Sequence, residues 1–86
     1  MTDTELLQQL QSLVDSASSE AAEYITNNPQ ANKYQHQYYR YNCFTCITRD
    51  FWALADRIAS PRPYEHLGRT NEHTMKNFIA AHSTNT

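Results

Sequence analysis

The chain has 86 residues, nine acidic and seven basic, and its formal net charge at pH 7 is −2. This length supports one domain, and the low net charge does not indicate a general nucleic-acid-binding surface. Leucine, isoleucine, valine and phenylalanine supply only 14 residues, and there is a single glycine. A turn-rich β-sandwich or barrel is disfavoured, because its corners need glycine repeatedly. The composition predicts one all-α domain over residues 1–86 with a small core.

The first predicted element is a helix over residues 3–26. Thr2 and Glu5 have the spacing of a capping box, in which each residue supplies a hydrogen-bond partner that the first helical turn lacks. Pro29 ends the helix, because the residue before a proline avoids the helical region. The polar stretch 27–35 is interpreted as a loop. Apolar residues recur every three or four positions, as one helical face requires: Leu6, Leu10, Leu13, Ala17, Ala21 and Tyr24.

The second predicted helix covers residues 36–60 and ends before Pro61. Its aromatic residues, threonines and cysteines favour a strand, but its apolar residues step by three and four, as in a helix. A turn at 61–70 and a third helix at 71–82 complete the three-helix prediction. The core-facing residues predicted for the second helix are Tyr41, Phe44, Ile47, Phe51, Leu54 and Ile58. Those predicted for the third are Met75, Phe78, Ile79 and His82.

Several functional classes lack support in this sequence. No window approaches the ~18 consecutive apolar residues of a membrane span, and the acidic N-terminal segment does not resemble a signal peptide. We therefore expect a cytoplasmic protein with no membrane partner. There is no glycine-rich phosphate loop, nucleophile elbow or H-E-x-x-H motif, so we expect no enzyme activity.

Cys43 and Cys46 form a Cys-x-x-Cys pair that leaves three interpretations open. Zinc would take two further ligands from four histidines whose spacing fits no common finger, and redox chemistry would need a βαβ pattern that is missing. On a helix the two thiols lie one turn apart, where small cysteines pack well. We expect structural thiols, with no metal and no cofactor.

A tyrosine cluster in residues 34–41 is the most informative feature. Its rings can stack on bases while the neighbouring Lys33, His36 and Arg40 bind phosphates, which suits short oligonucleotides rather than long nucleic acid. Helical geometry places a second group about 100° around from the core-facing residues. This group is either an oligomer interface or a ligand site between subunits. Its members are Tyr38, Thr45, Arg49, Trp52 and Asp56.

Charge is uneven along the chain. Residues 1–28 carry five acids and no base, whereas residues 29–64 carry five bases and two acids. This distribution fits acidic and basic helices that pack against each other, or a basic central segment that binds an anionic ligand.

Residues 51–64 resemble the end of the long helix in small phage anti-CBASS proteins, which are cyclic-oligonucleotide sponges. The pattern F-M-A-L-x-R-A-V-A-x-P-x-x-F is matched outright by Phe51, Ala53, Leu54, Ala59 and Pro61, and conservatively by Ile58 and Tyr64. Thr45 falls where that family has a threonine, and Asp56 stands where the pattern has a basic residue. The resemblance implies an all-helical homo-oligomer that sequesters cyclic di- or trinucleotides without cleaving them, with Thr45 as a binding residue.

Two functions are therefore predicted. The first is sequestration of cyclic oligonucleotides at sites between subunits. The alternative is a small interaction module or inhibitor that binds a bacterial host protein through its Tyr- and Trp-rich helix. The predicted ligand-binding residues are Tyr38, Arg40, Thr45 and Arg49. The predicted interface residues are Tyr34, Tyr39, Tyr41 and Trp52.

Overall fold

The computed structural model describes residues 2–59 and 72–83, and these contain three α-helices and no β-strand. The helices are α1 (Asp3–Asn27), α2 (Lys33–Ala55) and α3 (Glu72–Ser83). The prediction of an all-α fold is confirmed. Helices α1 and α2 form a hairpin joined by residues 28–32, and α3 packs against both. The turn predicted at 61–70 lies outside the described residues.

Helix α1 begins and ends through local side-chain hydrogen bonds. The backbone N–H of Glu5 donates to Thr2 Oγ1 at 3.2 Å, and the Thr2 N–H donates to Glu5 Oε1 at 3.4 Å. At the other end, Asn28 Nδ2 donates to the Tyr24 carbonyl oxygen at 2.9 Å. These bonds satisfy backbone groups that a helix end otherwise leaves unpaired. The side of α1 that enters the core consists of Leu6, Leu10, Val14, Ala17 and Ala21.

Helix α2 begins three residues earlier than predicted, so the predicted loop 27–35 is shorter. Asn32 caps the helix: the Gln35 N–H donates to Asn32 Oδ1 at 2.9 Å, and the Asn32 N–H donates to Gln35 Oε1 at 2.8 Å. This is an Asn-Gln form of the same capping box. The start was missed because residues 32–35 have no apolar periodicity.

Helix α2 also ends five residues before the predicted residue 60. The N–H of Arg57 donates to the Leu54 carbonyl at 3.1 Å, and the N–H of Ile58 donates to the Ala55 carbonyl at 2.9 Å. These hydrogen bonds span three residues instead of four, so the chain leaves the α-helix through a tighter turn.

The core contains an aromatic cluster contributed by α2 and α3. The rings of Phe51 and Trp52 lie edge to face at 4.9 Å, and Phe78 of α3 lies 6.3 Å from Phe51 and 5.5 Å from Trp52. Such edge-to-face pairs add to the stabilisation from burial. Met75 and Ile79 of α3 are also buried, as predicted.

Trp52 corrects the predicted orientation of α2. Its side chain is 2% exposed, whereas Tyr41 is 54% exposed and does not enter the core. The prediction of Trp52 as an interface residue is wrong, because α3 covers it. Contact with α3 extends the buried side of α2 toward Trp52 and leaves Tyr41 at its exposed edge.

Candidate binding surface on α2

Three exposed tyrosines occupy one side of α2. Tyr34, Tyr38 and Tyr41 are 80%, 69% and 54% exposed, and their spacing of four and three residues makes them neighbours on a helix. We call these three residues the tyrosine face. The core-facing side of α2 is filled by Phe44, Phe51 and other residues, so these rings are not part of the core that the described residues form.

The same side of α2 continues through Thr45 and Arg49, each four residues further along. Both are exposed. The Thr45 hydroxyl donates to the Tyr41 carbonyl oxygen at 2.9 Å, which leaves its oxygen free to accept. Arg49 makes no ion pair with any residue in 2–59 or 72–83. The structure therefore brings Tyr38, Thr45 and Arg49 together as predicted, and joins them to the other two tyrosines.

Arg40 was predicted to bind ligand, and the structure places its guanidinium in an ion pair with Glu72. Its Nε and Nη2 donate to the two carboxylate oxygens of Glu72 at 2.5 and 2.6 Å, which ties the start of α3 to α2. Its guanidinium also lies 5.6 Å from the centroid of the Phe44 ring. A bidentate pair of this kind occupies the guanidinium. Arg40 therefore links α2 to α3, and its predicted role in ligand binding would compete with this ion pair.

Glu72 is the centre of this ion pair. It also accepts a hydrogen bond from Lys76 Nζ at 2.5 Å, within the first turns of α3. The hydrogen bonds from Arg40, and then from Lys76, outweigh the effect of burial and lower the pKa of the Glu72 carboxyl to about 2. Its partner Arg40 lies 32 residues away, so no local sequence pattern connects the two residues.

Tyr39 belongs to a different surface from the tyrosine face. Its ring stacks on Tyr24 of α1 at 4.1 Å with an angle of 11° between the planes, and it is 36% exposed. His36 meets the same Tyr24 ring edge to face at 6.3 Å. The predicted interface role of Tyr39 therefore competes with a contact inside the hairpin, where this residue links α1 to α2.

An acidic cavity lies beside this stacked pair. It has a volume of about 280 Å³ and we call it the acidic notch, lined by Glu20, Glu23, Tyr24, Asn27, Asn28 and Tyr39. Both glutamates are exposed, and neither forms an ion pair within the described chain. Charge interaction with Cys43, then burial and the two glutamates, raise the pKa of the Tyr39 phenol. In the sequence, the acidic part of the notch corresponds to Glu20-x-x-Glu23-Tyr24, in a segment without basic residues. The stacking of Tyr39 on Tyr24 could not be predicted from residue spacing.

The two cysteines differ in environment. Cys43 is 5% exposed, and burial, followed by interaction with Glu20, raises the pKa of its thiol. Cys46 is exposed, and both are free thiols. Within residues 2–59 and 72–83, no group of three or more histidine, cysteine or acidic side chains is placed to hold a metal ion. None of the three described helices is long and apolar enough to cross a membrane.

The tyrosine face lines none of three cavities formed by described residues. The cavities of about 510, 380 and 280 Å³ that described residues line all lie elsewhere on the molecule. Small-molecule sites bury most of their ligand in a cleft. One copy of this surface is therefore suited to a macromolecular partner, and a small ligand would need further walls.

The chain matches no known family profile, no curated protein and no solved structure. The resemblance of residues 51–64 to cyclic-oligonucleotide sponges therefore stays a prediction.

Proposed function

We propose that this protein is a non-catalytic binding protein and that the tyrosine face of α2 is its binding surface for a protein partner. The observation that carries the proposal is the row of three rings, 80%, 69% and 54% exposed, on a helix whose opposite side is packed. Tyrosine and arginine are typical of the few interface residues that dominate binding energy. Tyrosine also gives a large contact area for little loss of side-chain freedom.

The geometry of the face indicates the form of the partner. Side chains at i, i+4 and i+7 on an exposed helix are the anchors used when a helix lies in a groove of another protein. Tyr34, Tyr38 and Tyr41 have this spacing. The partner is therefore expected to offer an apolar groove that accepts three phenol rings, with a hydrogen-bond acceptor for each hydroxyl. An acidic group near one end of the groove would pair with Arg49.

Capture from a bacterial lysate on immobilised protein tests this proposal. The test variant is Tyr34→Ala/Tyr38→Ala/Tyr41→Ala, and the matched control is Gln8→Ala/Ser12→Ala/Ser19→Ala, which alters three exposed positions on α1. The wild type and the control are expected to retain the same partner in stoichiometric amount, and the tyrosine variant to lose it. Equal capture by all three proteins, or capture by none, contradicts the proposal.

Sequestration of cyclic oligonucleotides by a phage-type protein in the bacterial cytoplasm is the second candidate. The observation that favours it is the exposure of Tyr38, Thr45 and Arg49 on one side of α2. Rings would stack on bases and Arg49 would bind a phosphate, so affinity should weaken with salt. These residues lie on one side of a single helix, so a second copy would supply the other wall of the site.

Calorimetric titration with a panel of cyclic di- and trinucleotides tests this candidate. We expect heat with at least one member, reduced at least tenfold in affinity by Arg49→Ala and unchanged by the matched Arg57→Ala. Arg57 is also an exposed arginine, beyond the end of α2. The absence of heat with every member of the panel would remove the candidate.

A further inference from the structure

We propose that two copies of this chain pair through α2, with Arg49 of each copy seated in the acidic notch of the other. The notch is the cavity lined by Glu20, Glu23, Tyr24, Asn27, Asn28 and Tyr39. This pairing does not depend on the tyrosine face. It assigns a partner to Glu20 and Glu23, which the proposed function leaves unused, and it competes with the acidic group of the proposed groove for Arg49.

Charge complementarity is the first argument. Glu20 and Glu23 form no ion pair within the described residues, and the whole segment 1–28 contains no base. Arg49 is an exposed cation of α2 that lies beyond the notch along the helix and forms no ion pair within residues 2–59 and 72–83. It is ten residues past Tyr39, or about 15 Å at 1.5 Å per residue. In one copy, Arg49 forms no ion pair with Glu20 or Glu23.

The chemistry of the notch fits a guanidinium group. Tyr24 and Tyr39 stack at 4.1 Å and present aromatic surface beside two carboxylates. Arginine binds carboxylates through a planar fork and also stacks on aromatic rings. Lysine would make only the point-charge contact. The partner's Arg49 would therefore satisfy both the charge and the aromatic surface of the notch.

Two-fold symmetry makes the contact twice. Suppose that the two α2 helices pack antiparallel, with the two-fold axis midway between Tyr39 and Arg49. Arg49 of each copy then lies opposite Tyr39 of the other copy. A closed dimer of this kind uses the same patch on both subunits. The two Arg49 residues then lie about 15 Å apart along the helices, beyond the ~8–10 Å screening length at physiological salt. Mutual repulsion is therefore weak.

The face of α2 between these levels permits close approach. Asn42, Cys46 and Ala53 share the side of α2 that carries Arg49, because the four residues step by four, three and four. Their side chains are short, and Cys46 and Ala53 are exposed.

The same symmetry places both tyrosine faces on one side of the helix pair. An Arg49 side chain that binds the notch of the second copy cannot also bind a phosphate. This dimer and oligonucleotide binding through Arg49 are therefore mutually exclusive.

Sedimentation equilibrium on the full chain tests the pairing. The wild type is expected to sediment at twice the 10.0 kDa chain mass. Arg49→Glu, and separately Glu20→Arg/Glu23→Arg, should each weaken dimerisation at least tenfold. Combining all three substitutions should restore it, because the charges are exchanged rather than removed. Arg57→Glu and Asp15→Arg are the matched controls, at exposed positions outside the notch, and should remain dimeric.

The outcomes separate this proposal from the function proposed above. The pairing is overturned if the wild type is monomeric or if the Arg49→Glu variant is still dimeric. It is also overturned if the combined variant is helical by circular dichroism but remains monomeric. Tyr34→Ala/Tyr41→Ala should stay dimeric, because these rings lie off the contact. A dimer that captures no partner would remove the proposed function and leave the pairing intact.

Discussion

Replacing Glu72 with glutamine tests whether the ion pair with Arg40 holds α3 against α2. The substitution keeps the side-chain shape and removes the charge that accepts two hydrogen bonds from Arg40 and one from Lys76. Because α3 supplies Met75, Phe78 and Ile79 to the core, loosening its first turn should lower the free energy of unfolding of the whole domain.

The pKa of Glu72 sets the magnitude. It falls from 4.5 to about 2, and each pKa unit corresponds to ~1.4 kcal/mol, which gives an upper bound of ~3.5 kcal/mol. The side chains of Arg40 and Glu72 are 37% and 25% exposed, so water screens part of this interaction. Glutamine also still accepts a hydrogen bond. We therefore expect Glu72→Gln to lower the free energy of unfolding by about 1–2 kcal/mol at pH 7.

The pH dependence gives a second, independent readout. The pKa of Glu72 is lower in the folded chain than in the unfolded chain, so the unfolded chain takes up the proton first as pH falls. The stabilisation is complete above about pH 4.5 and is lost between pH 4.5 and about 2. The difference in the free energy of unfolding between wild type and Glu72→Gln should therefore shrink across that window.

Urea unfolding followed by circular dichroism at pH 7, 4.5 and 2.5 measures both effects. Asp15→Asn is the matched control, because Asp15 is an exposed acid on α1 whose hydrogen-bond partner among the described residues is Gln11, within its own helix. A change within ~0.5 kcal/mol is expected there. If Glu72→Gln equals the wild type at pH 7, or if their difference is constant from pH 7 to 2.5, the ion pair does not hold α3 as argued.

Three further predictions follow from the core, the caps and the thiols. Trp52→Ala should lower the free energy of unfolding by ~3–5 kcal/mol in thermal or urea melts, because Trp52 is 2% exposed; a loss below ~1 kcal/mol would contradict its burial. Asn32→Ala should cost ~1 kcal/mol in the same melts while the neighbouring Gln30→Ala costs little, and equal effects would argue against the Asn32 cap. The exposed Cys46 thiol should react with a disulfide reagent at once, and the buried Cys43 thiol should react only on unfolding. Equal reaction rates for the two thiols would contradict this.

Much of the fold was predictable because its signals are local. The Thr2–Glu5 capping box and the apolar spacing of α1 placed that helix within a residue of its bounds. The start of α2 was missed because the Asn32–Gln35 cap lies in a polar stretch without periodicity. The end of α2 was predicted from Pro61, but backbone hydrogen bonds that span three residues replace the α-helical ones already at Arg57 and Ile58.

The candidate site was only partly predictable, because it depends on contacts between distant segments. Helical spacing left Tyr34 and Tyr38 outside the predicted core, and both are exposed, whereas Tyr41 was predicted to face the core and is 54% exposed. The sequence did not reveal that Arg40 pairs with Glu72 or that Phe78 packs on Trp52, because both contacts come from α3, whose packing no local pattern indicates. A residue that is predicted to be exposed when only its own helix is considered can be buried by a third helix.

The central claim is that the tyrosine face of α2 is the binding surface of this protein. Calorimetric titration of the purified captured partner against the wild type and against Tyr34→Ala/Tyr38→Ala/Tyr41→Ala tests it most directly. Truncating a dominant interface residue costs ~2 kcal/mol or more, so the triple variant should bind at least ~100-fold more weakly. Affinities within threefold of each other, with the variant still helical by circular dichroism, would contradict the claim.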